Sequence, residues 1–264
     1  MSETTYDSYA AIYDVARQGR FGEALATWSL GWLAERNVTP KRVLDLACGT
    51  GVATLRFADA GCAAFGLDRS EAMLRIAQAR ARDAHANAVF ALGDIREIGT
   101  NPALANWLAS AEQPTCELVT CFADSLNYLL DDGDLDRVFA GVAGVLARDG
   151  FLIFDLNTEA EYETWEARDV IVYDDNAHLV YQQLDYAPER RIATGRIVWF
   201  VREIDLWWRG EETHYQRPWS DTDVCDALAR AGFALIQRYD PTNGAMEEAT
   251  AQARRVVYIA RNVG

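Results

Sequence analysis

Arg42-Val43-Leu44-Asp45-Leu46-Ala47-Cys48-Gly49-Thr50-Gly51 is the stretch that decides the fold. An apolar run to Leu46 ends in three small residues and two glycines, and a helical pattern begins at Val52. This predicts a buried strand, a tight turn and a helix, with the amides of the turn facing a crevice. Gly49 and Gly51 carry no Cβ, so they permit positive φ and let a ligand come close to the main chain. The dinucleotide-binding turn G-x-G-x-x-G has the same outline. Two features oppose that reading: Thr54 stands at the third glycine position, and Asp45, at the strand end, would repel a pyrophosphate but suits an ammonium group.

Working outward, Val52 to Ala60 reads as a helix closed by Gly61, and Ala63 to Leu67 as a second strand that finishes at Asp68. Ser70 can cap a helix from Glu71 to about Ala84, and Val89 to Leu92 gives a third strand that leads into Gly93-Asp94-Ile95. Glu117 to Cys121 reads as the fourth strand, running into Phe122-Ala123-Asp124-Ser125-Leu126-Asn127-Tyr128. A helix with apolar positions Leu135, Val138, Phe139, Val142 and Leu146 follows, and Asp149-Gly150 turns into a fifth strand, Phe151 to Asp155. Strands alternating with helices predict an α/β protein with a doubly wound, mostly parallel sheet, whose ligands gather at the strand ends.

The stretch Asp-Leu-Ala-Cys-Gly-Thr-Gly at 45–51 resembles the first motif of the class I methyltransferases that use S-adenosylmethionine, a ligand with an amine and a sulfonium and no phosphate. The resemblance implies a Rossmann-like, seven-stranded sheet and S-adenosylmethionine as cofactor, with S-adenosylhomocysteine as product. It implies that Asp45 anchors the methionyl amine region while Ala47, Gly49, Thr50 and Gly51 shape the pocket. Asp68, seventeen residues after Gly51, would accept the ribose hydroxyls, with Arg69 beside it and Met73 packed on the adenine. Asp94 would meet the adenine amine and Ile95 its ring face, and Phe122 would line the mouth of the fourth strand. As residues alone, Asp68 and Asp94 also suit turns or helix caps.

Residues 3 to 36 read as helical, with Tyr6, Tyr9 and Tyr13 and later Phe21, Leu25, Trp28 and Trp32 at helix-like spacing. The early tyrosines resemble the N-terminal lid of small-molecule methyltransferases, in which a tyrosine such as Tyr13 closes over the cofactor. Asp-Ser-Leu-Asn-Tyr at 124–128 and Leu-Asn-Thr at 156–158 resemble one bacterial branch of the family, mostly uncharacterised. Asp124 and Tyr128 are catalytic candidates on that basis and Asn127 a substrate-binding one, with helix capping as the alternative for Asp124 and Asn127. The segment is not an Asn-Pro-Pro-Tyr box, which opposes methylation of nucleobase or glutamine amides.

From Glu159 to Trp219 the pattern turns β-rich, with hairpin turns expected at Ala187–Arg190 and Arg209–Glu211. This predicts an antiparallel insertion that caps the substrate, so that residues 1–158 form the lid and cofactor core, 159–219 the cap and 220–264 the end of the core. Trp199, Trp207, Trp208, Trp219 and Tyr215 are candidates for the roof of the site, or for packing between cap and core. His-x-x-Arg, His214 to Arg217, recurs in the same branch. His214 is thus a candidate base, and Arg217 and Trp219 are candidate substrate contacts. Phe233 to Tyr239 and Val256 to Ala260 read as the last two strands, joined by a polar loop.

Composition narrows the partners. The 264 residues carry a formal charge of −15, which opposes nucleic-acid binding and suits a neutral or cationic small molecule. Five cysteines without a C-x-x-C pair point to reduced thiols and a cytoplasmic location, as a monomer or homodimer. The first residues do not form a signal peptide, no apolar run is long enough for a membrane span, and the three histidines show no metal spacing. The reading is a methyltransferase acting by in-line transfer on a small amine or hydroxyl acceptor, with no metal. The alternatives are a non-catalytic S-adenosylmethionine- or S-adenosylhomocysteine-binding regulatory protein and an NAD-dependent oxidoreductase.

Overall fold

The computed structural model describes residues 6–241 and 245–264. The chain begins with two short helical pieces, α1 (Ala10–Tyr13) and α2 (Arg20–Ala34). The single helix expected from residue 3 is therefore interrupted between Asp14 and Gly19, and its first residues lie outside the described ones. The break has a local cause: Asp14 turns its carboxylate to Thr50 and Arg80 instead of continuing along a helix face.

The core then alternates as expected: β1 (Arg42–Leu46), α3 (Val52–Asp59), β2 (Ala63–Asp68), α4 (Glu71–Asp83) and β3 (Ala88–Leu92). A 3₁₀ turn at Ile95–Thr100 and α5 (Pro102–Ala109) lead to β4 (Cys116–Cys121). After a 3₁₀ turn at Ser125–Tyr128 come α6 (Asp134–Val145) and β5 (Leu146–Asn157). β5 starts earlier than expected, because Leu146 already pairs with Cys116 and Asp149-Gly150 is an irregularity inside the strand.

The central sheet has the order β11-β10-β12-β5-β4-β1-β2-β3, with β1, β2, β3, β4 and β5 parallel and β12 antiparallel to β5. Every residue of β1 is buried, as a central parallel strand covered on both faces requires. Strand order reverses between β1 and β4, so the crevice at their C-terminal ends is where a ligand belongs. One ring braces the first crossover from below. Phe90, on β3, occupies the space in which a Cβ on Gly51 or on Gly66 would sit, at 2.8 and 2.6 Å.

After α7 (Glu159–Tyr162), a second, four-stranded antiparallel sheet is built from β6 (Arg168–Asp174), β7 (His178–Ala187), β8 (Ile192–Glu203) and β9 (Leu206–Gln216). The expected turn at Arg209–Glu211 is not there. β8 and β9 run on to a turn at Ile204-Asp205, and Gly210 lies within β9 opposite Trp199. The glycine makes room for the Trp199 indole, which fills the place of a Cβ.

The chain ends with α8 (Asp221–Arg230), β10 (Phe233–Asp240), the two-residue β11 (Glu247–Glu248) and β12 (Arg255–Asn262). Ser220 and Asp223 form a capping box at α8. The polar connection after β10 thus contributes a short eighth strand to a sheet expected to have seven. No described helix is long and apolar enough to cross a membrane.

Candidate active site

The turn after β1 carries three residues with positive φ: Ala47 at 52°, Gly49 at 54° and Gly51 at 78°. Asp68 holds this turn. Its carboxylate accepts the amides of Gly49 and Ser70, both at 2.8 Å, and so ties the end of β2 to the glycine loop and to the start of α4. Each oxygen keeps a further lone pair for a ligand hydroxyl. Burial pushes the Asp68 carboxyl up, and the two amide bonds pull it back in part. Asp45 is also enclosed, accepting the hydroxyls of Thr54 at 2.6 Å and Thr120 at 2.8 Å. Burial raises it to about 6 against these hydrogen bonds.

A cleft opens beside this turn. Asp45, Ala47, Gly49 and Thr50 line one side, and Asp68, Arg69, Met73, Asp94 and Ile95 the other, with Phe122 and Tyr13 on the outer walls. Gly51 is the exception among the expected cofactor residues. It starts α3 in the left-handed region and faces Phe90 and Ala77 rather than the cleft. A Cβ on Gly49 would meet nothing within 4 Å, so the loop leaves open space there. Asp94 is bound to Arg96 at 2.6 Å, and the guanidinium holds its carboxyl low.

The N-terminal segment is pinned over this cleft from three directions. Ser70 donates to Asp7 at 2.6 Å, and Thr50 donates to Asp14 at 2.9 Å, with Arg80 closing on Asp14 at 2.8 Å. From the cap, Glu212 accepts the amides of Tyr6, Ser8 and Tyr9 at 2.8, 2.7 and 2.9 Å. Tyr6 and Tyr13 therefore stand as a partition. They line the cleft on one side and, on the other, a second cavity beneath the cap sheet.

Tyr128, His214 and Asp124 border that second cavity, and Tyr128 borders both. The Tyr128 hydroxyl lies 2.8 Å from His214 Nδ1 and 2.7 Å from the Tyr6 hydroxyl, while His214 Nε2 faces Glu212 at 3.1 Å. Burial raises both phenols above their ordinary range, so they remain protonated. For Glu212 burial acts upward too, but the bonds from His214 and from the amides of Tyr6 and Tyr9 outweigh it and its carboxyl sits low. Asp124 is committed to Arg255 at 2.8 Å and to Gln216 at 2.5 Å. It follows Ala123 in a left-handed pair whose amides both bond Asp155, at 2.7 and 3.0 Å. Asp155 is raised to about 6 by burial, opposed by the charge of Arg255 at 2.6 Å.

The three expected substrate contacts lie elsewhere. Asn127 is buried, and its amide is spent on the carbonyls of Asn157 and Arg217 and on the amide of Asn157. Arg217 reaches the Leu130 carbonyl and Asp132 and lies over the Trp219 ring. Trp219 packs in the main core and donates to the Leu126 carbonyl. These residues join the 3₁₀ turn to the cap root and do not reach either cavity. Of the roof candidates, Trp199 is buried against Tyr9, whereas Trp207 and Trp208 are 51% and 59% exposed and Tyr215 points outward too.

Sequence reasoning missed Glu212, Gln216, Asp155 and Arg255. The first two carried a signal: residues 212, 214 and 216 share one face of β9, with 211, 213 and 215 exposed. Asp155 and Arg255 are joined across 100 positions, and nothing local announces such a pair.

Fold and cleft define an adenosyl-binding Rossmann-like protein. Carboxylates dominate the cleft, Arg96 is committed to Asp94, and the loop at Gly49 is open, which fits a ligand bearing an ammonium and a sulfonium rather than phosphates. Residues 43–150 match the family model described as "Methyltransferase domain". "Putative methyltransferase YqeM" of Bacillus subtilis (strain 168) is 28% identical over 97% of this chain and 96% of its own length. The crystal structure of an S-adenosylmethionine-dependent methyltransferase from Clostridium acetobutylicum ATCC 824 superposes with a TM-score of 0.81, at 24% identity over 98% of this chain and 99% of that one. Cofactor-bound CalS10, an amino pentose methyltransferase from Micromonospora echinaspora, superposes with a TM-score of 0.73 at 18% identity, over 95% of this chain and 96% of that one. Residues 43–150 thus match a methyltransferase domain, and the chain shares its fold over nearly its whole length with methyltransferases that use S-adenosylmethionine.

Proposed function

We propose that this enzyme methylates the amine of a small polar molecule held in the cavity beneath the cap. The observation that carries this reading is the partition: two adjoining cavities share Tyr6, Tyr13, Ala123 and Tyr128, so a reactant in each would meet there. The second cavity is lined by the carboxylate Glu161, by Asp124 paired with Arg255, and by the amides Gln18, Gln182 and Gln216, a lining that suits an amine with several hydroxyls. The Tyr9 ring borders it as well, and its buried hydroxyl meets no partner among the described residues. That the structurally similar CalS10 is an amino pentose methyltransferase agrees with this choice.

When bound, the cofactor supplies a methyl group on a sulfonium, a carbon that an amine lone pair can attack. Asp68 would hold its ribose, Asp94, Ile95 and Met73 its adenine, and Asp45 with the Gly49 loop the methionyl end. Arg69 and Phe122 complete the walls. The tyrosine partition keeps water from the reacting centre, and the two cavities align the reactants, which is where much of the rate would arise. Screening amine and hydroxyl libraries for acceptor-dependent S-adenosylhomocysteine, with the product's added CH₂ located by mass spectrometry, tests the proposal. Methylation on nitrogen is expected; products confined to oxygen, or none from any amine, would overturn it.

A further inference from the structure

Four groups close a ring at the partition. The Tyr6 amide donates to Glu212 Oε2 at 2.8 Å, Glu212 Oε2 faces His214 Nε2 at 3.1 Å, His214 Nδ1 faces Tyr128 at 2.8 Å, and Tyr128 returns to the Tyr6 hydroxyl at 2.7 Å. The donors in this ring can be ordered. Glu212 as a carboxylate can only accept, so His214 must carry its proton on Nε2. In the neutral imidazole Nδ1 is then an acceptor, so the Tyr128 hydroxyl points to it, and the Tyr6 hydroxyl points to the Tyr128 oxygen. What remains is the Tyr6 oxygen, which borders both cavities with lone pairs to offer. One end of the chain is thus basic and faces the reaction space, and the other is anchored by a buried charge.

Building on the amine reading, we propose that Tyr6 ends a proton-accepting relay through Tyr128 to His214, and that Glu212 is the positioning residue that sets its direction and assembles it only when the N-terminal segment is shut. The nitrogen lone pair would form its bond to the methyl carbon as the carbon–sulfur bond breaks and leaves its pair on sulfur, giving a neutral thioether; the N–H bond then breaks and its electron pair stays on nitrogen. The Tyr6 oxygen takes that proton as its own passes to Tyr128, and the proton of Tyr128 passes to His214 Nδ1. Both phenols end as they began, and the imidazolium lies against the Glu212 carboxylate. Closure and relay are coupled because Glu212 also binds the amides of Ser8 and Tyr9, at 2.7 and 2.9 Å. Without the segment in place, Tyr6 is absent from the ring.

Glu212→Gln separates the two roles. Its amide oxygen can still accept from Ser8 and Tyr9, which hold the segment, but its NH₂ replaces the oxygen that faces the Tyr6 amide and His214; it gives up the Tyr6 amide bond and must donate to His214, which forces the proton onto Nδ1 and turns every hydroxyl in the chain around. The protein has three histidines, so ¹⁵N-histidine labelling resolves His214 directly. The expected result is an Nε2–H tautomer in the wild type and Nδ1–H in Glu212→Gln, with kcat lowered at least about tenfold and S-adenosylhomocysteine affinity changed less than about threefold. Hydrogen exchange at Ser8 and Tyr9 should stay slow in Glu212→Gln and become fast in Glu212→Ala. An unchanged tautomer or an unchanged kcat in Glu212→Gln refutes the relay, and slow exchange in Glu212→Ala refutes the coupling to closure. Failure to find any amine substrate would count against the amine reading alone, because tautomer and exchange are read on the protein without an acceptor.

Discussion

Replacing Asp45 by Asn should make the ligand-free protein relatively more stable as pH rises, while weakening its grip on the cofactor. Asp45 is enclosed at the end of β1, and burial lifts its pKa from 3.8 to about 6 even though Thr54 and Thr120 both donate to it. Because the folded state binds this proton more tightly than the unfolded chain, the carboxyl favours folding below 3.8, and that contribution is lost as pH rises to about 6. Two units correspond to about 3 kcal/mol. Asn resembles the protonated acid in size and does not titrate; one threonine hydroxyl can keep donating to its Oδ1 while the other turns to accept from its NH₂. Urea unfolding of the two proteins at about pH 4 and pH 8 isolates the effect, since other buried acids such as Asp155 titrate in both. The stability difference should move in favour of Asp45→Asn by about 3 kcal/mol between those pH values. A pH-independent difference, or one that moves toward the wild type, would show that the site does not strain this carboxylate. Calorimetry on the same variant should show weaker binding of S-adenosylmethionine, whose positive groups the carboxylate would face on the proposed reading.

Other substitutions probe different parts of the site. Asp68→Ala should cost at least about tenfold in S-adenosylhomocysteine affinity by calorimetry, because the ribose hydroxyls lose their acceptor; unchanged affinity would remove Asp68 from the site. Gly51→Ala and Gly49→Ala should fail differently. At Gly51 a Cβ meets Phe90 at 2.8 Å in a left-handed backbone, so thermal stability should drop by about 2–4 kcal/mol. At Gly49 the Cβ projects into open space, so stability should fall by only about 1 kcal/mol while affinity suffers more. Gly210→Ala should destabilise the cap by about 1–3 kcal/mol through collision with Trp199, seen as a lower melting temperature; an unchanged melting point would restore the turn reading of that glycine.

The core was legible because its signals are local. A five-residue apolar run that ends in Gly-Thr-Gly admits few structures, and β1 occupies Arg42–Leu46 as read. The helix caps at Ser70 and Ser220 follow from the same short-range chemistry. Gly210 shows where such reasoning fails. A glycine between charged residues reads as a turn, yet here it answers to an indole on the neighbouring strand, and the false turn hid the alternation that would have placed Glu212 and Gln216 beside His214. Asn127, Arg217 and Trp219 mark the opposite error. The motif singled out the right segment, but their polar groups are consumed in holding it together.

Phe90 links the choice of residue at 66 to the choice at 90. A smaller side chain at 90 would remove one of the two clashes that face alanine at 66, the other being the Cys48 sulfur at 2.8 Å, whereas at 51 the left-handed backbone and Ala77 at 2.9 Å would still oppose it. Drift in descendants of this chain should therefore be correlated at 66 and 90. Leucine at 90 should recover part of the melting temperature lost in Gly66→Ala, with Cys48 still in the way, while lowering the wild-type melting point when introduced alone.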